Sequence, residues 1–216
     1  EPLLKNAAKE IDGSKLSEAN KTLNSAIAAL SGSKDLWAIP NTPAAIDENH
    51  AAWGPIADPL SPVVMRFVVE RDEGSMRYVL EGKAKQAPDT DYSPVLAGAH
   101  QADPATGTVV GHFQVNRDAL RALNGDPRES GGTEVEFSRS ANGDVAIRVL
   151  LGAMVAPGAL QPTNAAYAYN QLAGGDGTFE FQTDADLNGN GVLEHMGIRA
   201  RWSQSGAGQS EAASTG

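Results

Sequence analysis

The chain has 216 residues, a net charge of −10 and no cysteine. Those facts exclude disulfides, thiolate metal sites and cysteine nucleophiles. They also argue against nucleic acid as a partner, because phosphate recognition needs a concentrated positive field. Hydrophobic residues make up 41% and charged residues 20%, the balance of a folded domain rather than a disordered chain.

Residues 1–32 read as an N-terminal helical segment. Leu16, Ala19, Leu23, Ala26, Ile27 and Leu30 recur at three- and four-residue intervals, with Ser14 as N-cap and Gly32 as stop. Residues 33–62 carry Pro40, Pro43, Pro55, Pro59 and Pro62, which predict an irregular segment anchored by Trp37 and Trp53.

The region 63–203 then reads as an antiparallel sheet of about eight strands. Three stretches, 63–83, 133–151 and 178–202, each place a Gly, Asn or Asp turn between two alternating apolar/polar runs. Met65, Phe67 and Val69 face one way, and Met76, Tyr78 and Leu80 return on the same face. Val109, Gly111, Phe113 and Val115 form another alternating run, followed by a short helix at 119–123 with Asn116 and Asp118 at its start. Asn142-Gly143 is a strong hairpin signal, since both residues tolerate positive φ. The tail, 204–216, lacks an apolar period and reads as a flexible end or as the strand stump of a longer chain. The fold class expected from these elements is α+β: N-terminal helices packed on a large curved antiparallel sheet, half-barrel-like.

An apolar sheet face covered by the 16–31 helix suggests a ligand site lined by Phe67, Tyr78, Phe113, Ile147, Phe179 and Trp202. A second candidate is Asp186-Leu187-Asn188-Gly189-Asn190-Gly191-Val192-Leu193-Glu194. Oxygens at positions one, three and five and glycine at six match the start of a calcium loop. Calcium would be held by Asp184, Asp186, Asn188, Asn190 and Glu194. Position twelve is Gly197, where an EF-hand places a bidentate glutamate, so a plain hairpin turn is the alternative. His50, His100, His112 and His195 fall in no metal-ligand spacing, and no nucleophile elbow, P-loop or dinucleotide fingerprint occurs. No catalytic residue is assigned, and the chain is read as non-enzymatic.

The segments Arg66-Phe67-Val68-Val69-Glu70-Arg71, Tyr78-Val79-Leu80-Glu81-Gly82-Lys83, Val110-Gly111-His112-Phe113 and Arg199-Ala200-Arg201-Trp202 resemble secreted lipoproteins of myxobacteria-type bacteria over about residues 50–205. That resemblance implies a cell-envelope location, in the periplasm or at the outer membrane, or secretion. It also implies a lipid anchor upstream of Glu1. It brings no activity, cofactor or site. The order of helix and strands is also similar to the half-barrel of periplasmic lipoprotein carriers. The expected function is binding of an envelope protein or an apolar ligand. The alternative is a structural subunit of an envelope or extracellular assembly.

Overall fold

The computed structural model describes residues 44–57, 59–72, 74–125, 130–155, 161–186 and 190–215. They form one twelve-stranded sheet in which every strand pairs with its sequence neighbour, antiparallel throughout. The strands are β1 (Ala45–Ile46), β2 (His50–Ala57), β3 (Val63–Asp72), β4 (Ser75–Ala84), β5 (Ser93–Ala102) and β6 (Val109–Asn116). After one helix, α1 (Arg117–Asn124), come β7 (Gly132–Arg139), β8 (Val145–Met154), β9 (Thr163–Gln171), β10 (Gly177–Ala185), β11 (Glu194–Trp202) and β12 (Gly208–Thr215).

This corrects the α+β expectation. The described chain is almost wholly antiparallel sheet, α1 is its only α-helix, and no N-terminal helix packs on the sheet among the described residues. The segment 1–32 lies outside the described residues. The strand count rises from eight to twelve because backbone pairing extends into stretches that lack an alternating apolar signal. The proline-bearing stretch contributes β2. It accommodates Gly54-Pro55 at a register shift between Trp53 and Ile56, as expected for a residue that cannot donate to the ladder. The tail contributes β12, paired along β11 from His195↔Thr215 to Trp202↔Gly208.

Period-two alternation gives the sheet one apolar and one polar face. Register carries the apolar face across the molecule, with Tyr78 opposite Gly98, Gly98 opposite Phe113, Phe113 opposite Val135, and Val135 opposite Val149. Ala51, Trp53, Phe67, Val69, Met76, Tyr78, Phe113, Val135, Phe137 and Val149 make one buried cluster. A full side chain of this kind contributes about 1.5–3 kcal/mol when removed from water. Large rings lie over glycines on the next strand. A Cβ on Gly98 would meet the Tyr78 ring at 2.5 Å, and one on Gly111 the Phe137 ring at 2.4 Å.

Helix α1 closes one end of this face. The Asn116 side chain accepts from the Ala119 N–H at 2.9 Å, and Gly125 ends the helix in the left-handed region. Ala119, Leu120 and Leu123 pack on the buried Val63, Met65 and Val95.

Three hairpin turns share one geometry. The N–H groups of Ser140, Leu172 and Ser203 donate to the carbonyls of Asp144, Asp176 and Ala207. Each turn is also laced to the next. The Asp144 carboxylate accepts from the Ala173 N–H at 2.8 Å, and that of Asp176 from the Gln204 N–H at 2.7 Å. The Ala173 amide holds the Asp144 carboxyl below its ordinary pKa. On the polar face, Arg66–Glu81 (2.5 Å), Arg148–Glu136 (3.9 Å) and Arg199–Glu180 (3.8 Å) pair across neighbouring strands. Exposed pairs of this kind add little stability and mainly keep the face solvated.

Candidate functional site

Register places all six predicted lining residues on the apolar face, but not around one cavity. Phe67, Tyr78 and Phe113 belong to the packed cluster, with exposures of 7%, 4% and 0%. Their surfaces are already used by one another and by Val135 and Val149. The Tyr78 hydroxyl donates to the His112 carbonyl at 3.3 Å, and burial pushes the phenol pKa up. Ile147, Phe179 and Trp202 lie further along the face and are only partly buried. There Ile147 is opposite Tyr169, Tyr169 is opposite Phe179, and Phe181 is opposite Ile198. The rings pair along this strip, Tyr167 with Phe179 at 6.2 Å and Tyr169 with Trp202 at 5.6 Å between centroids. The accessible part of the apolar face is therefore β9–β11.

His100 sits where the packed part begins, opposite Met76 on one strand and Gly111 on the other, with its ring 6.0 Å from that of Tyr78. Burial lowers its pKa from 6.5. The folded state thus favours the neutral ring. The resulting stability is complete above the unfolded pKa and is lost as pH falls through the folded value. The urea midpoint should drop as pH falls from about 6.5 towards 5. His100→Gln should flatten that part of the profile, and equal slopes in both proteins would refute the assignment.

The calcium-loop residues are dispersed. Asp184 faces His195 across β10 and β11, with the carboxylate 2.9 Å from Nδ1. Asp186 accepts from the N–H groups of Asn190 and Gly191 at 3.0 and 2.8 Å. The Asn190 side chain accepts from the Val192 N–H at 2.7 Å. Asn188 lies outside the described residues. Glu194 pairs with Ala185 at the β10–β11 register. These bonds are those of a turn capped by its own Asx side chains. No group of three or more His, Asp or Glu side chains is placed to hold a metal among the described residues.

Sequence reasoning missed a groove of about 450 Å3 on the polar face. Its floor crosses β7 to β10 through Glu134, Leu150, Ala166 and Gln182, which lie opposite one another in register. One end carries the paired glycines Gly132 and Gly152, and the other carries Asp184 with His195. Asn164 completes the wall. Its Oδ1 accepts from the Ala153 N–H at 2.9 Å, which leaves its NH2 group unused by that bond. Its trace in the sequence is glycine at 132, where β7 begins, and at 152, within β8.

No protein-family model, curated protein or solved structure matches the chain.

Proposed function

We propose that the protein is a non-enzymatic cell-envelope or surface lipoprotein that binds a partner protein or an apolar ligand through the open end of its apolar face. One observation carries this reading. The aromatic strip of Tyr167, Tyr169, Phe179 and Trp202 continues the core surface yet stays partly exposed. Amphipathic rings of this kind offer a large rigid contact area at low entropic cost. The envelope part draws support from the lipoprotein resemblance, and the lack of cysteine is compatible with it.

The test is a titration of methyl-labelled protein with monomeric oleate as the apolar probe. The Met196 and Ile198 methyls and the Trp202 indole should shift together, while the buried Val149 methyls stay fixed. Trp202→Ala should weaken binding by about tenfold. Oleate that leaves Met196, Ile198 and Trp202 unmoved would overturn the apolar-ligand reading.

A further inference from the structure

Seven of the strand glycines fall into two kinds. Gly82, Gly98, Gly111 and Gly177 each leave room for a neighbouring side chain that a Cβ would strike at 2.7 Å or less. At Gly132, the first residue of β7, at Gly152, in the β8–β9 register shift, and at Gly197, no neighbouring side chain claims that space among the described residues. A Cβ would come no nearer than 3.6 Å to anything at Gly132 and 3.9 Å at Gly197, and would meet nothing within 4 Å at Gly152. None of the three has a positive φ. Glycine inside a strand weakens it, and marks either a bulge, as at the register shift beside Gly152, or a place where something approaches the backbone closely. Gly132 and Gly152 line the polar-face groove, and Gly197 is paired with its residue Gln182.

We propose that this groove is a binding site for a neutral, polyhydroxylated ligand, a saccharide. The side chains around the floor supply the chemistry. Glu134 and Asp184 are carboxylate acceptors, and the Gln182 amide, which has no protein partner among the described residues, offers both a donor and an acceptor. The Asn164 NH2, which has no partner among the described residues, adds donors, and the His195 Nε2 adds an acceptor on the neutral ring, whose Nδ1–H faces Asp184. Carboxylates and planar amides around a floor of Leu150 and Ala166 fit vicinal hydroxyl groups, each of which both gives and takes a hydrogen bond, with the sugar's C–H face on the leucine. The two carboxylates, with no lysine or arginine lining the groove, repel phosphates and other anions. The donor set is not that of a metal site among the described residues. The volume falls within the range of about 300–1,000 Å3 usual for small-molecule sites. The site is independent of the aromatic strip, because it occupies the opposite face of the same strands.

The experiment is an amide-detected NMR titration of the full chain with cellotriose, maltotriose and chitotriose. At least one should shift the amides of Gly132, Gly152, Ala166 and Gln182, with a Kd of about 1 mM. Gly152→Leu places a side chain in the groove where the protein has room for it. It should keep the Tm and weaken binding at least about tenfold. Gln182→Leu, which removes the unpartnered amide, should do the same and decides the matter should Gly152→Leu fail to fold. The proposal is overturned if none of the three sugars shifts those amides at about 20 mM. It is equally overturned if shifts arise elsewhere, or if binding survives the substitution.

Discussion

Phe113→Ala should cost about 3–5 kcal/mol in a urea unfolding experiment, the range for removing a large aromatic side chain from a core. Against a total of about 5–15 kcal/mol for a typical domain, that leaves the protein marginal or unfolded at 37 °C. Phe113 is completely buried and lies midway along β6. Gly98 is its partner on one side and Val135 on the other, so truncation opens a cavity over two strands at once. The sheet backbone cannot collapse into that space without breaking its ladder, which places the cost at the upper end. The control lies on the same strand. Val110 points to the opposite face and is 40% exposed, so Val110→Ala should change stability by less than about 0.5 kcal/mol. If the two substitutions cost the same, the assignment of apolar and polar faces is wrong.

That face assignment was readable from the residues alone, and much of the rest was not. Alternation placed Phe67, Phe113, Ile147 and Phe179 on a single side, and the registers agree. Asn116 before a short apolar period marked α1. The missed strands share a physical reason. β5, expected only as a short strand at 95–97, is Ser-Pro-Val-Leu-Ala-Gly-Ala-His-Gln-Ala over its full length, and the missed β12 is Gly-Gln-Ser-Glu-Ala-Ala-Ser-Thr. Their small residues have low intrinsic strand preference. Their extended form comes from hydrogen bonds to a neighbouring strand, which no local pattern announces. β5 also carries glycine where the rings of its neighbours need space, so part of its sequence records its partners' side chains. The groove was illegible for a related reason. Glu134, Asn164, Gln182 and His195 sit on different strands and meet only once four registers are fixed. The six predicted lining residues share a face, yet three of them are packed in the core. Alternation identifies a shared face, but it cannot separate side chains that fill the core from side chains left at its open end.

The same glycine-to-alanine change should have opposite signs at two places on this sheet. At Gly98 a methyl group would sit 2.5 Å from the Tyr78 ring, 2.6 Å from the His112 carbonyl oxygen and 2.6 Å from the Phe113 Cβ. Two of those atoms are backbone or fixed directly to it, so rotating a side chain cannot relieve the contact. The His112 carbonyl also accepts the Tyr78 hydroxyl, so moving it strains a buried hydrogen bond. Gly98→Ala should therefore destabilise by about 2–3 kcal/mol, as overpacking of a close-packed interior does. At Gly152 the added methyl meets nothing within 4 Å among the described residues, and the backbone needs no left-handed conformation. There the reduced entropy of the unfolded chain should dominate, and Gly152→Ala should be neutral or stabilising by up to about 1 kcal/mol. Paired urea titrations read both effects against the same parent. Two losses of equal size would mean that Gly152 has a folding role, and would remove the reason for reading its empty side as space kept for a ligand.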